Sequence, residues 1–352
     1  MTLSQEPPVR HQTSQLTRAV VPLGEGGSPS RFTPIGAQRD PIPLDGYDCL
    51  IKQRVPLSGL TSFRVGGPAE FYVTPRTMDE LYASFDWGDR QSVPITLLGA
   101  GSNLLVSDQG VPGLVISTRY LRSIQFHDDG RVTAEAGVPM AKLAWQAAHR
   151  GLQGLEWAVG IPGSLGGSVV MNAGAHGLTM EDILVSVLVL SPDHSLNQLA
   201  PSALCYAYRT SNLQGDRRLV TQATLQLKPG ADAQFVLEQT SEHLERRRTT
   251  QPYHLPSCGS VFRNPQPYSA GWLIEQAGLK GYQIGGAQVA ERHANFILNC
   301  GGASASDILR LIHHVQETVY HQWSMTLEPE VRLLGEFQAV SPFFAGIDHA
   351  SR

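Results

Sequence analysis

Leu97-Leu98-Gly99-Ala100-Gly101-Ser102-Asn103-Leu104-Leu105 runs an apolar strand into a glycine-rich loop, and Gly160-Ile161-Pro162-Gly163-Ser164-Leu165-Gly166-Gly167 supplies a second such loop. Glycine tolerates positive φ and lets backbone N–H groups close on an anion. Ser102 and Asn103 add side-chain donors. The first loop alone could be a tight turn. The second is too glycine-dense for a hairpin, and it runs on into Val169-Val170-Met171-Asn172-Ala173-Gly174-Ala175, too apolar for a flexible linker. Its spacing departs from the Rossmann GxGxxG, and no lysine follows it as in a P-loop. Two such loops suit a pyrophosphate gripped from two sides, and a dinucleotide such as FAD has that shape.

Around the loops, Ala69–Val73, Pro94–Leu98, Gly113–Ile116 and the alternating Arg131–Ala136 read as strands. A short helix falls near Met78–Phe85, and another over Met140–His149 stops at Gly151. Strands resume at Leu184–Leu190 and Leu219–Leu227. The alternation predicts an α+β domain over residues 46–230, in two lobes of about 46–118 and 119–230. Composition shifts after Pro229-Gly230. Helices are expected at Ala233–Arg248, Ala270–Ala277 and Ser304–Trp323. The last carries Ile308, Leu311, Ile312, Val315 and Val319 at helical spacing, with Ser304 and Asp307 as its cap. Strands near Gln288–Val289, Asn295–Leu298 and Val331–Leu334 complete a smaller α+β domain over 231–340, to which the family resemblance described below assigns substrate binding. Residues 1–45, rich in Pro, Ser, Thr, Gln and Gly, read as a disordered extension, and 341–352 as a tail.

Length and composition narrow the function. A chain of 352 residues with 41% hydrophobic residues can build more than one core. A net charge of −4 without a run of one sign argues against a nucleic-acid partner. No apolar stretch approaches the roughly 18 residues that span a membrane, so no membrane insertion is expected. No charged segment leads into an apolar core at the N-terminus, and the expected location is cytoplasmic. Cys49, Cys205, Cys258 and Cys300 lack metal-ligand spacing and read as idle thiols, so no metal is expected.

SFRVGGPAEF (62–71), LLGAGSNLLVSDQG (97–110) and GIPGSLGGSVVMNAGAHG (160–177), in this order, resemble the FAD-binding region of the UDP-N-acetylenolpyruvoylglucosamine reductase (MurB) family. That region has the flavoprotein fold shared with vanillyl-alcohol oxidase and p-cresol methylhydroxylase. The resemblance runs from about residue 48 to 336. It implies noncovalent FAD held by Gly99, Ala100, Gly101, Ser102, Asn103 and Leu104 of the first loop. From the second it implies Gly160, Pro162, Gly163, Gly166, Gly167, Asn172, Gly174 and Ala175. His176 stands where some oxidases carry a flavin-linking histidine, with surface or packing as its plainer role.

The resemblance also implies the chemistry: NADPH reduces the flavin, which then passes hydride to C3 of UDP-N-acetylglucosamine enolpyruvate to give UDP-N-acetylmuramate. Ser260, in Cys258-Gly259-Ser260-Val261-Phe262-Arg263-Asn264-Pro265, is then the proton donor, needing a water-poor site to act as an acid. Arg209, in Tyr208-Arg209-Thr210-Ser211, sets a planar cation against the substrate carboxylate, where charge gathers. Glu330, in Leu327-Glu328-Pro329-Glu330-Val331-Arg332-Leu333-Leu334-Gly335, orients Arg209 or acts at the reacting end. Each has a plain alternative: a turn hydrogen bond for Ser260, a surface charge for Arg209, a salt bridge to Arg332 for Glu330.

Gly285–Ile297 is the remaining shared motif. The UDP-sugar is assigned to Tyr208, Asn264, Gln288 and His293, although His293 fits a structural histidine equally. Ala290 stands where the family often has serine, and Ser62 where it commonly has threonine. Between Arg209 and Ser260 there is room for one strand and one helix. The chain therefore looks like the second type of the family, lacking the inserted tyrosine loop of the first. The rivals are a sugar or hydroxy-acid oxidase of the same fold and a non-catalytic flavin-binding module.

Overall fold

The computed structural model describes residues 40–215 and 217–338; the expected extension up to residue 39 and the tail at 341–352 lie outside them. The first lobe comprises β1 (Ile42–Pro43), β2 (Leu50–Pro56), β3 (Pro68–Val73), helix α1 (Met78–Arg90), β4 (Ile95–Leu98), β5 (Leu104–Val106) and β6 (Val111–Ser117). One sheet takes the order β1-β2-β3-β6-β4, antiparallel from β1 to β3 and parallel where β3 and β4 flank β6. Thr77 caps α1 by accepting from Glu80 N–H, and Leu81 and Phe85 pack with Leu114 and Ile116 of β6. Regular structure reaches into the stretch expected as an extension up to residue 45. Ile42 pairs with Ile51 and Leu44 is buried, so this apolar Ile-Pro-Leu run belongs to the sheet.

The second lobe comprises β7 (Ile124–Phe126), β8 (Arg131–Glu135), α2 (Met140–Ala148), α3 (Leu165–Val170), β9 (Gly174–Ala175), β10 (Leu178–Thr179), β11 (Leu184–Leu190), β12 (Leu196–Leu199), β13 (Leu219–Gln226) and α4 (Ala233–Thr250). Its antiparallel sheet runs β12-β11-β13-β8-β7. The second glycine-rich stretch is partly helical, because α3 starts at Leu165. Gly166 lets α3 lie on the end of β8: its N–H donates to Ala136 O at 2.9 Å, and a Cβ there would stand 2.8 Å from Ala136 Cβ. Helix α4 corrects the expected boundary at 230. It lies against α2 and the 3₁₀ turn Glu156–Ala158, and Leu244 joins the second lobe's core. Val236, Thr240 and Leu244 fall on one face at four-residue spacing, and a composition shift does not report which domain such a face meets.

The C-terminal domain therefore begins after α4. It comprises α5 (Ala270–Gln276), β14 (Gln283–Ile284), β15 (Ala287–Val289), β16 (Ile297–Asn299), α6 (Ala305–Trp323) and β17 (Arg332–Leu334). The expected cap forms as a full capping box: Ser304 Oγ accepts from Asp307 N–H, and Asp307 accepts from Ser304 N–H. The apolar face of α6 buries Ile308, Leu311, Ile312, Val315 and Val319. It packs with Leu273, Val289 and Ile297, and with Phe63, Val65 and Leu105 of the first lobe. Strand β17 pairs in parallel with β5, register Arg332 with Leu104. Among the described residues no helix is long and apolar enough to cross a membrane.

Candidate active site

The two glycine-rich loops meet face to face. Gly101 takes φ +66°, its carbonyl accepts from Ser62 N–H at 3.0 Å, and a Cβ there would run into Leu60 O at 2.2 Å. A Cβ on Gly99 would lie 2.9 Å from Ser164 Oγ, and one on Gly163 would lie 3.1 Å from Ser102 Oγ. Ser164 Oγ is buried without a hydrogen-bond partner. A buried hydroxyl of that kind calls for one. With Gly99, Gly163 and Gly167 leaving space around it, the cradle fits a phosphate oxygen of FAD.

The other loop residues divide. Ala100 is exposed and Leu104 opens β5. Asn103 bonds to the C-terminal domain twice: Nδ2 donates to Glu330 O at 2.9 Å, and its carbonyl accepts from Arg332 N–H at 3.0 Å. Gly160 packs on the stem of Arg247, and Pro162 lines the cleft described below. Gly166 faces Ala136, as described above. Asn172, buried, donates to Ala207 O at 3.2 Å. Gly174 and Ala175 form the hairpin strand β9. These last residues hold the neighbouring turns in place.

Arg209 sits at the tip of a turn closed by reciprocal 3.1 Å bonds between Ala207 and Thr210. Its backbone is left-handed, φ +56°, an uncommon conformation for a residue with a side chain. Nη2 donates to Gly174 O at 2.8 Å. Nε stands 3.2 Å from Glu330 Oε1, an ion pair whose N–H is not aimed along the contact. The side chains are 24% and 16% exposed. Burial pushes the Glu330 carboxyl above its usual range, against the pull of Arg209 and Arg263. Glu330 is thus paired to Arg209, while Arg332 reaches elsewhere, to Gln214 Oε1 at 2.9 Å.

Ser260 lies on the segment antiparallel to that of Glu330, where Glu330 N–H donates to Val261 O at 2.7 Å. It is half-buried, and among the described residues its Oγ has no hydrogen-bond partner. Cys258, two residues before, is a buried thiol pushed well up by burial and by the Glu330 charge. The structure therefore brings Arg209, Glu330 and the Ser260 segment together beside both loops.

The residues assigned to the UDP-sugar are less uniform. Tyr208 is 57% exposed, its ring 5.5 Å from Arg209 Cζ. Asn264 Oδ1 accepts from Ala270 N–H at the start of α5. Gln288 Nε2 donates to Gly281 O, and Oε1 accepts from Cys300 Sγ. His293 Nδ1 accepts from Asn295 N–H at 3.3 Å; burial lowers its pKa. Asn264, Gln288 and His293 thus bond to turns of their own domain.

Sequence reasoning missed several residues. Asn295 bonds Phe262 through both side-chain atoms, at 2.8 and 2.9 Å, and so fixes the segment after Ser260. Arg263 joins Glu328 at 3.0 Å and Thr210 Oγ1 at 3.0 Å. A cleft of about 500 Å³ opens where Thr61 and Ser62, Pro162 and Gly259 converge, with Arg64 and Arg247 on its walls. Arg247 Nε donates to Tyr253 OH at 2.9 Å, and Tyr253 OH to Gly160 O at 3.1 Å. The arginine run closing α4 was the available signal. Among the described residues no group of His, Cys, Asp and Glu is arranged to hold a metal ion.

A phosphate cradle of two facing loops, opening on a paired arginine and glutamate, defines an FAD-dependent oxidoreductase; residues 69–199 match the FAD-binding domain model. Residues 251–334 match the model for the C-terminal domain of UDP-N-acetylenolpyruvoylglucosamine reductase, starting where α4 ends. The chain is 60% identical over 299 residues to the UDP-N-acetylenolpyruvoylglucosamine reductase of a Nostoc species, covering 85% of this chain and 90% of that one. For the Nostoc punctiforme protein of the same name the identity is 61%, covering 84% and 90%. The crystal structure of the reductase from Thermus caldophilus superimposes with a TM-score of 0.70 at 36% identity, covering 82% of this chain and all of that one. The chain belongs to the UDP-N-acetylenolpyruvoylglucosamine reductase family.

Proposed function

We propose that this protein reduces UDP-N-acetylglucosamine enolpyruvate to UDP-N-acetylmuramate with NADPH, a step in building the peptidoglycan precursor. The observation that carries the reading is the Arg209–Glu330 pair, set beside the Ser260 segment and joined to the first glycine-rich loop through Asn103. FAD, when bound, supplies the relay by which hydride from NADPH reaches the enolpyruvyl carbon. The residues around it handle charge and proton.

Arg209 holds the substrate carboxylate, and its contact strengthens as negative charge gathers on that end of the molecule. Glu330 holds the guanidinium in place through its ion pair. Ser260 Oγ–H, unclaimed by the described residues, gives its proton to the carbon beside the carboxylate, and solvent restores the hydroxyl. Tyr208, exposed beside Arg209, takes part in holding the UDP-sugar. Between Arg209 and Ser260 the described regular elements are β13 and α4, which supports a protein of the second type, without a tyrosine loop. A soluble location in the cytoplasm fits these soluble substrates.

The test is anaerobic. The FAD-loaded protein should bleach with NADPH and regain its yellow colour on adding UDP-N-acetylglucosamine enolpyruvate. Recovery with oxygen alone would sink the reading in favour of an oxidase, and no bleaching at all would favour a flavin-binding module.

A further inference from the structure

Gln214 lies in the loop after the Arg209 turn, half-buried, and bonds to the Arg209 turn, the end of α3 and β17. Its Nε2 donates to Arg209 O at 2.9 Å and reaches Val170 O and Met171 Sδ, each at 3.3 Å, at the end of α3. Its Oε1 accepts from Arg332 Nη1 at 2.9 Å, on β17, two residues beyond Glu330. The amide has one orientation consistent with this set, because a flip would turn N–H groups on a guanidinium. A left-handed arginine persists where its surroundings over-determine it, and here its carbonyl is held by Gln214 and, at 3.4 Å, by Arg263 Nη2. One end of the Arg209 side chain is set by Glu330, two residues before Arg332 opens β17. Gln214 closes that circuit from the backbone side.

We propose that Gln214 is a positioning residue for Arg209, coupling the left-handed turn to the segment that runs from Glu330 into β17. The proposal rests on the reading that Arg209 binds the substrate carboxylate. Gln214 touches neither substrate nor reacting atoms; it acts by keeping the guanidinium where the developing charge appears. A displacement of about 1 Å at such a contact costs on the order of a hundredfold in rate.

The experiment compares four holoproteins by anaerobic stopped flow: wild type, Gln214→Met, Arg209→Ala and the double variant. With NADPH the bleaching rate of Gln214→Met should match wild type. With saturating UDP-N-acetylglucosamine enolpyruvate its recolouring rate should fall ten- to a hundredfold, on the order of a 1 Å misplacement. In the Arg209→Ala background the same substitution should cost nothing more, because its route of action is gone. Equal slowing of both halves, or multiplied losses in the double variant, would overturn the proposal. Arg209→Ala recolouring at the wild-type rate would overturn the carboxylate reading itself, and the proposal with it.

Gln214→Glu keeps an acceptor for Arg332 but loses the donors to Arg209 O. It carries the test if the methionine variant fails to fold, and should recolour as slowly. A wild-type rate for Gln214→Glu would show that the bond to Arg209 O does not matter, and the proposal would fall.

Discussion

The C-terminal domain meets the two lobes through seams of opposite character. Against the first lobe it uses backbone and apolar surface: β17 pairs with β5, Ser107 N–H donates to Leu334 O at 2.8 Å, and Phe63, Val65 and Leu105 enter its core. Against the second lobe it uses charge: Arg209 with Glu330, Arg263 with Thr210, Arg332 with Gln214. The second lobe's own apolar core takes no described residue from beyond Leu244. Buried apolar area and paired backbone contribute stability, whereas part-buried ion pairs contribute little net stability because desolvation offsets their attraction. The first seam holds the domain on; the second holds side chains at the places a substrate needs them.

Substitutions should separate the two. The largest effect is expected in the site beside the charged seam: Ser260→Ala should slow recolouring by the UDP-sugar by about 10²- to 10⁴-fold while leaving NADPH bleaching and the melting temperature near wild type. Equal loss in both half-reactions would break the contrast. In the first seam, Asn299 is buried, donates to Phe63 O at 3.0 Å and accepts from Gly301 and Ala303 N–H. Asn299→Ala should cost about 3 kcal/mol in denaturant unfolding, since three backbone groups lose their partner, with recolouring per folded molecule unchanged. Asp108 accepts from Ala305 and Ser306 N–H at the start of α6. Asp108→Ala should cost about 1 kcal/mol, again without a kinetic signature.

The smallest effect sharpens the comparison through pH. Burial raises the folded-state pKa of Glu330, so the folded chain binds more protons than the unfolded one across that window. Stability from this group is then present below the ordinary glutamate pKa and lost as pH rises through the raised value. Glu330→Gln should remove that slope, gaining on wild type as pH climbs from about 4 toward neutral, although its recolouring is slow. A variant that loses ground with rising pH would show that Glu330 stabilises the seam, contrary to the contrast drawn.

The long elements were legible because their periodicity repeats. Helix α6 announced its buried face and its Ser304–Asp307 cap, and the alternation in Arg131–Glu135 marked β8. What escaped was held together by distant partners. Strand β5 has three residues inside Leu-Leu-Val-Ser-Asp-Gln-Gly, and its partner β17 lies more than two hundred residues away. Helix α3 hides in glycines, which disfavour helix unless packing requires their missing side chain, as Ala136 does against Gly166. In the site, Arg209, Ser260 and Glu330 stood in recognisable motifs. Gln214 did not, and Asn295 stood in a motif without a role, because a polar loop residue reveals its hydrogen-bond partners only when the turns around it are built.

The β5–β17 pair also bears on the order of events at the ribosome. Strand β17 has β5 as its ladder partner, and β5 follows the first glycine-rich loop at once. When the first lobe emerges, that edge lacks β17 until more than two hundred further residues have been made. At about 5–20 residues per second the wait is tens of seconds. An exposed apolar edge for that long invites pairing with another chain. A late strand thus completes an early lobe, so the step that closes this edge is also the step that aligns Glu330 with the cofactor loop.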